Sequence, residues 1–172
     1  MVIMIKQQAR LSCGPPPNNL PYSKKMERIV RFKRLYDDAV LPFAATEGAA
    51  GLDISAYTFQ EVVEIAPNEW EMIKTGLAAE IPEGHFGLLC PRSGLGKQGI
   101  TLANTIGIID SDYRGEISIM VKNNNDYPFL VNHGMRIAQL LIVPFFSPSI
   151  NVVEELEETV RGTGGFGSTG VQ

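Results

Sequence analysis

The sequence predicts an all-β protein, a sandwich or barrel built from many short strands. Three observations carry this prediction. Short apolar runs recur along the chain, and several alternate with polar residues as half-buried strands do. Turn-forming residues separate the runs, as at Pro82-Glu83-Gly84 and Asn132-His133-Gly134. Segments with the longer apolar period of a helix are few.

The expected strands follow one another along the chain. Each is an apolar or alternating segment bounded by turn chemistry. They are residues 28–35, 62–65, 69–74, 77–81, 86–90, 100–102, 117–121, 129–131, 137–145 and 150–153. A short helix is expected over 93–98, with Ser93 as its N-terminal cap. Residues 154–160 fit either a helix or a charged extension of the last strand.

The stretch 106–121 is the centre of the chain and predicts a β-hairpin. A β-branched run ends at Asp110, the polar turn 111–115 follows, and a second strand leaves from Glu116. We attribute to Gly115 the backbone freedom that the return requires. Two carboxylates, a phenol and a guanidinium at one turn predict a polar site on a rigid support.

The composition bounds the class of protein. The chain has 172 residues, 44% of them hydrophobic and 20% charged, which suits one soluble domain with a sizeable core. A net charge of −4 argues against a general nucleic-acid binder, and no apolar run is long enough for a membrane span. The two cysteines, Cys13 and Cys90, belong to no CxxC pattern, and no HExxH occurs, so we expect no zinc site.

Three parts of the chain differ in composition. Residues 1–26 hold four basic side chains, no acid and a Pro-Pro-Pro run, so we expect a disordered N-terminal extension. Residues 27–160 hold the strand segments and form the expected domain. Residues 161–172 hold five glycines, so we expect a mobile tail.

Several polar residues stand in apolar or glycine-rich surroundings that predict a function. Arg92, Ser93 and Gly94 offer a guanidinium, a hydroxyl and backbone N–H groups that suit a phosphate oxygen. Asp53 lies within an apolar strand and therefore needs a metal, a basic partner or a turn hydrogen bond. Arg136 and Gln139 are three apart, so a regular strand points them to opposite sides unless a bulge intervenes.

Two GxGxxG matches, at 94–99 and 162–167, are not interpreted as dinucleotide sites. Such sites need a strand before the glycines and a long helix after them. A strand is expected after the first match, and the sequence ends soon after the second.

Five motifs in this order give the chain a specific resemblance. They read AGLDISA, PRSGLGKQGI, IGIIDSDYRGE, RIAQL and RGTGGFGSTG. With these motifs in this order the chain resembles the trimeric dUTPases, and the resemblance covers about residues 28–170. One departure is Met135, where that family usually has an acidic residue before the arginine of the fourth motif. We expect an adjusted loop there rather than lost activity.

The resemblance implies a jelly-roll-like β-barrel that forms a homotrimer, with active sites at subunit interfaces and the glycine-rich tail as a lid. It implies hydrolysis of dUTP to dUMP and pyrophosphate with Mg²⁺, which keeps dUTP low and supplies dUMP for thymidylate synthesis. It implies no nucleic-acid or membrane partner. A cytoplasmic location is the default expectation, and a nuclear or virus-associated one stays open.

The resemblance also implies a role for individual residues. Asp110 would be the general base for the attacking water, and Asp53 would hold Mg²⁺ through a water molecule. Tyr113 would lie against the deoxyribose, and Asn104 with the 106–109 backbone would contact the uracil. The implied substrate-binding residues are Arg92, Ser93, Gly94, Asn104, Gly107, Tyr113, Arg136, Gln139, Arg161, Phe166, Gly167, Ser168 and Thr169.

Two other readings of the sequence stay open at this stage. One is a dCTP deaminase-like enzyme of the same superfamily, although Asp110 and the GGFGSTG tail argue against it. The other is a trimer that binds nucleotide as a regulatory switch without catalysis. Pyrophosphate, ammonia or neither released from dUTP and dCTP would separate the three.

Overall fold

The structure, a computed structural model, describes residues 29–165 and is almost entirely β within them. The strands are β1 Arg31–Arg34, β2 Leu52–Ser55, β3 Val63–Ile65, β4 Trp70–Lys74, β5 Leu77–Glu80, β6 His85–Cys90, β7 Ile100–Leu102, β8 Gly107–Ile109, β9 Ser118–Asn123, β10 Phe129–Val131 and β11 Arg136–Pro144. One short helix, α1 Ser93–Gly96, lies between β6 and β7. The all-β prediction is confirmed, and the expected domain bounds stay predictions.

The strands pair antiparallel in four small sheets. The largest has the order β2-β11-β6-β8, and a second has the order β4-β9-β7. Two further pairs, β1-β5 and β10-β3, complete the arrangement. Neighbours in a sheet are mostly distant in sequence, as expected of the jelly-roll-like architecture.

Alternating side chains build the core between the sheets. In β9, Ile119 and Val121 are buried while the residues between them are partly exposed, which is the two-residue period of a strand. They pack with branched aliphatic residues of other strands, including Ile54, Ile137 and Leu140. Burial of this apolar surface is the main favourable term in folding.

Three expectations about individual elements are wrong. Residues 150–153 form no strand and are exposed and irregular. Of the two alternatives for residues 154–160 the helix does not form, and this segment is also exposed and irregular. The helix begins at Ser93 itself, so Arg92 is the N-cap residue, and it makes no side-chain capping hydrogen bond. The hairpin at 106–121 does not form, because β8 pairs with β6 whereas β9 pairs with β4 and β7. Residues 1–28, and with them the expected N-terminal extension, lie outside the described part of the chain.

Candidate functional site

The divergence of β8 and β9 opens a pocket between two sheets. A cavity of about 420 Å³ is lined by Met72, Ile108, Ile109, Asp110, Tyr113, Glu116, Ile117 and Ser118. A smaller cavity of about 130 Å³ shares Met72, Ile109 and Ser118 with it and extends to Asn104 and Gly107. We call these two cavities together the inter-sheet pocket. Two strands hydrogen-bonded to each other would leave no such space.

The wall of the inter-sheet pocket suits a flat heterocycle. Most lining side chains are aliphatic, and Asn104 supplies an amide in the smaller cavity. Gly107 is closely packed here: a Cβ at this position would make a tight contact of 3.2 Å with Leu89 Cβ and an ordinary contact of 3.6 Å with Asn104 Nδ2. Thr105 has a positive φ of 64°, which forms the tight turn that brings Asn104 back toward β8.

Tyr113 stands at the mouth of the pocket, and Gly115 makes room for its ring. The Tyr113 hydroxyl donates to the Glu116 carbonyl at 3.1 Å. A Cβ on Gly115 would lie 2.5 Å from Tyr113 Cζ and 2.9 Å from Cε2, closer than real contacts allow. The φ of Gly115 is not in the left-handed region, so its expected role in backbone freedom is wrong. Arg114 donates to the carbonyls of Ser111 and Tyr113 and so closes the turn.

Asp110 follows β8 directly and is exposed at the pocket. Within residues 29–165 its carboxylate accepts no hydrogen bond and forms no ion pair, whereas its carbonyl accepts from the Tyr113 N–H at 3.2 Å. An unpaired carboxylate beside a cavity keeps its lone pairs available for a water molecule.

A second polar cluster, which we call the arginine clamp, consists of Asp53, Arg92 and Arg136. Arg92 donates from Nε to Asp53 Oδ1 at 2.9 Å and from Nη2 to Oδ2 at 3.2 Å. Arg136 Nη1 donates to the same Oδ2 at 3.0 Å. The buried Asp53 therefore has the basic partner that its position demanded. Two guanidinium groups on one carboxylate leave the clamp with a net positive charge, which favours an anionic ligand.

A β-bulge brings the residues of the fourth motif to the clamp. The register of β11 against β2 shifts between Arg136 and Ala138. As a result Arg136 reaches Asp53, and Gln139 Nε2 donates to the Pro91 carbonyl at 3.2 Å, directly before Arg92. Gly51 is packed against Gln139, because a Cβ there would lie 2.9 Å from the Gln139 Oε1.

The structure brings only some of the expected site residues together. Ser93 and Gly94 are exposed at the start of α1, next to Arg92 of the clamp. Arg161 lies in an exposed turn, and in the described part of the chain no hydrogen bond or ion pair joins its guanidinium to the pocket or the clamp. Phe166, Gly167, Ser168 and Thr169 lie outside the described residues, so their roles stay predictions.

Asp53 of the arginine clamp and the inter-sheet pocket lie at different edges of one sheet. β2, which carries Asp53, and β8, which lines the pocket, are the opposite edge strands of the four-stranded sheet. The two edge strands are separated by three inter-strand spacings, a distance of about 14 Å. No residue lines the pocket and also takes part in the clamp.

The clamp offers little to a metal ion by itself. Over residues 29–165 no three His, Cys, Asp or Glu side chains gather closely enough to form a metal site. Asp53 is the one carboxylate of the clamp, and both its oxygens already accept hydrogen bonds. This donor set fits Mg²⁺ held mainly by water and by phosphate oxygens, which is how proteins commonly bind that ion.

Sequence reasoning missed Met72, Glu116 and Ser118 as pocket residues. Met72 is an exposed apolar residue of β4, as is Trp70, so the signal is detectable but nonspecific. Phe43 was also missed: its carbonyl accepts from the Asp53 N–H at 2.9 Å, and its ring lies 6.0 Å from Arg136 Cζ. The side chain of Met135 packs against the hydrophobic core, which accounts for an apolar residue at this place.

None of the helices within residues 29–165 has the length and apolar character needed to cross a membrane.

Comparison with known proteins gives one consistent family. The family model for dUTPase matches residues 37–170. The deoxyuridine 5'-triphosphate nucleotidohydrolase of a Picosynechococcus species is 48% identical over 142 residues, which cover 82% of this chain and 98% of that protein. The enzyme of the same name from a Hydrogenobaculum species is 46% identical over 141 residues, covering 81% and 96% respectively.

Solved structures agree with the sequence relatives. The dUTPase of Staphylococcus bacteriophage 80alpha with dUpNHpp superposes with a TM-score of 0.75 at 34% identity, covering 84% of this chain and 99% of that one. A mutant dUTPase from phage phi11 of S. aureus, described with a structural Mg(II) ion, gives a TM-score of 0.68 at 30% identity, covering 76% and 99%.

Proposed function

Because the chain belongs to the dUTPase family, we propose that it hydrolyses dUTP to dUMP and pyrophosphate with Mg²⁺. Family membership makes it an enzyme of the dUTP diphosphatase class. The observation that carries the proposal is the pairing of an aliphatic pocket with a cationic clamp, where the pocket ends at Asp110, whose carboxylate has no partner among residues 29–165. Hydrolysis of a nucleoside triphosphate requires an apolar pocket for the nucleoside, a carboxylate to activate water and cationic groups to bind the phosphates.

Asp110 is the general base of the proposed reaction. It accepts a proton from a water molecule, whose oxygen bonds to the α-phosphorus while the bond from that phosphorus to the bridging oxygen breaks. Pyrophosphate leaves with the electrons of that bond, and dUMP remains. The lack of any partner for the carboxylate within residues 29–165, and its exposure beside the pocket, support this role.

The inter-sheet pocket selects the nucleoside. The Asn104 amide and the backbone around Gly107 match the polar edge of uracil, and the narrow inner cavity disfavours a 5-methyl group. The Tyr113 ring covers the sugar and occupies the space that a 2′-hydroxyl needs. The apolar lining excludes water around the base.

The arginine clamp binds the phosphates. Arg136 uses one donor on Asp53 and keeps the others for phosphate oxygens, and Arg92, Ser93, Gly94 and Gln139 stand beside it. Asp53 would hold Mg²⁺ through a water molecule, and the ion would neutralise part of the phosphate charge. Arg161, Phe166, Gly167, Ser168 and Thr169 of the tail then close over the nucleotide.

The protein acts as a homotrimer in this proposal, with the pocket of one subunit facing the clamp of its neighbour. The position of Asp53 and of the pocket strand β8 at opposite edges of the four-stranded sheet supports shared sites. Exposed apolar side chains also support assembly: Met72 and Ile108 stand beside the pocket, and Phe146, Ile150 and Leu156 project from the C-terminal segment. The proposed location is the cytoplasm, where the enzyme keeps dUTP low and supplies dUMP for thymidylate synthesis.

The central test replaces Asp110 with Asn, which keeps the shape of the side chain and removes its basicity. We expect dUTP turnover to fall by about 10² to 10⁴-fold while binding of a non-hydrolysable analogue persists. Released pyrophosphate and calorimetric titration measure the two quantities. Turnover close to that of the unaltered protein would exclude Asp110 as the base.

Mixing two inactive variants tests the shared site. Asp110→Asn removes the general base beside the pocket, and Arg136→Ala weakens the arginine clamp. Suppose that each site combines the pocket of one subunit with the clamp of another. Random reassembly of equal amounts of the two variants then gives about a quarter of the sites both an intact pocket and an intact clamp. Light scattering should give a trimer throughout. A mixture no more active than its components would mean that one chain supplies both parts.

A further inference from the structure

Glu116 connects the mouth of the pocket to a buried turn that follows β4. Its carbonyl accepts the Tyr113 hydroxyl at 3.1 Å. Its side chain is 18% exposed and directs Oε1 to the Gly76 N–H at 3.0 Å, while Oε2 lies 3.5 Å from Lys74 Nζ. One residue therefore bonds both to the phenol and to the turn between β4 and β5.

The turn that receives the Glu116 carboxylate is rigidly held. Thr75, which is 1% exposed, donates from Oγ1 to the Ile117 carbonyl at 2.7 Å and accepts from the Leu77 N–H at 3.3 Å. The Ile117 N–H in turn donates to the Leu77 carbonyl at 2.8 Å. The backbone on the pocket side is thus tied to a buried, fully bonded turn.

Gly76 is the point at which the turn cannot move. Its φ is +68°, and a Cβ would lie 2.8 Å from Ala39 Cβ and 3.2 Å from Tyr57 Cγ. The buried ring of Tyr57 stacks on Tyr36 at 4.5 Å between centroids, so this side of the turn is closely packed. A carboxylate bonded to the Gly76 N–H is therefore bonded to a fixed position.

Both Glu116 oxygens are engaged by protein groups, whereas the Asp110 carboxylate has no partner in the described part of the chain. We propose that Glu116 is a positioning residue: its carboxylate fixes the backbone that holds the Tyr113 hydroxyl and thereby sets the selection between deoxyribonucleotides and ribonucleotides. This inference rests on the proposed function of the pocket. It predicts that loss of the carboxylate frees the Tyr113 ring and admits a 2′-hydroxyl.

The test compares kcat/KM for dUTP with that for UTP. Glu116→Ala removes the carboxylate that accepts the Gly76 N–H. We expect the dUTP/UTP ratio of kcat/KM to fall about tenfold, the change that loss of one hydrogen bond can cause, mainly because UTP is hydrolysed faster. Glu116→Gln keeps an oxygen for the Gly76 N–H and should restore most of the ratio. Lys74→Met, the matched control, removes only the partly exposed ion pair and should leave the ratio unchanged.

A double variant shows whether Glu116 acts through Tyr113. Tyr113→Phe removes the hydroxyl, so the ratio of Tyr113→Phe with Glu116→Ala should equal that of Tyr113→Phe alone. A merely structural role would lower turnover of both nucleotides equally and leave their ratio intact. If Glu116→Ala does not fold, Glu116→Asp, which is too short to reach Gly76, serves in its place.

The results separate this inference from the proposed function. An unaltered ratio in Glu116→Ala, or additive losses in the double variant, would overturn the positioning role while dUTP hydrolysis stands. Absence of dUTP hydrolysis by the unaltered protein would refute the proposed function itself, and the positioning role with it. The inference is supported if Glu116→Ala lowers the dUTP/UTP ratio about tenfold, Glu116→Gln restores it, and Glu116→Ala has no further effect in the Tyr113→Phe background.

Discussion

Replacing Asp53 with Asn should destabilise the protein through the arginine clamp. The side chain of Asp53 is 11% exposed and accepts three hydrogen bonds from Arg92 and Arg136 at 2.9, 3.2 and 3.0 Å. In the variant an NH₂ group must face guanidinium N–H donors at one of the two former oxygen positions. At least one charge-assisted hydrogen bond is therefore lost, and the positive charges lose their counter-charge.

The magnitude follows from the burial of the partners. Hydrogen bonds to charged groups contribute about 1.5 to 3 kcal/mol each, and breaking a fully buried pair costs about 3 to 5 kcal/mol. The side chains of Arg92 and Arg136 are 25% and 46% exposed, so water replaces part of the loss. We therefore expect the free energy of unfolding to fall by about 2 kcal/mol.

Urea denaturation at fixed protein concentration measures this change. With a urea dependence of about 2 kcal/mol per molar, the midpoint should fall by roughly 1 M. Glu80→Gln is the matched control, because Glu80 lies 3.0 Å from Arg31 but the two side chains are 49% and 56% exposed. That variant should lose less than about 0.5 kcal/mol.

An Asp53→Asn midpoint equal to that of Glu80→Gln would refute the reasoning, since it would mean that the clamp adds no more stability than a surface pair. The urea series contains no Mg²⁺, so it measures the role of Asp53 toward the arginines separately from any role toward the metal. A shift in the Mg²⁺ concentration needed for activity would report the second role.

Three further predictions concern other parts of the molecule. Gly115→Ala should displace the Tyr113 ring and lower the dUTP/UTP ratio of kcat/KM, whereas Gly48→Ala, with open space around the new methyl, should leave it unchanged. Removal of residues 161–172 should preserve the assembly size in light scattering but slow dUTP turnover on the order of 10²-fold, because the proposed lid would no longer align the phosphates; full turnover would contradict a lid. A hydrogen bond from Gln60, and then one from Tyr57, lowers the pKa of Asp38 from 3.8, so this carboxylate stabilises the fold above that pH and ceases to do so as the pH falls through its folded value. Asp38→Asn should flatten the acid side of a urea-midpoint against pH curve, and an unchanged slope would argue against the linkage.

Much of the fold could be predicted from the pattern of neighbouring residues in the sequence. The alternation in β9 and the apolar run of β11 predicted strands close to their observed bounds, because the two-residue period of a strand is written in adjacent residues. The segment 150–153 had the same apolar character, but the described chain offers it no partner strand, and a strand without a partner has no ladder of hydrogen bonds.

The candidate site, like the fold, could be predicted from the sequence only in part. The sequence by itself determined the family, through five motifs in order, and it determined that Asp53 needed a compensating partner. Only the tertiary structure decided that the partners are Arg92 and Arg136, which lie 39 and 83 residues away. It also decided that β8 pairs with β6 rather than with β9, which opens the pocket, and that Gly115 serves the Tyr113 ring rather than a backbone turn. The physical reason is that periodicity and residue chemistry are local properties, whereas strand pairing and ion-pair choice depend on which distant surfaces pack together.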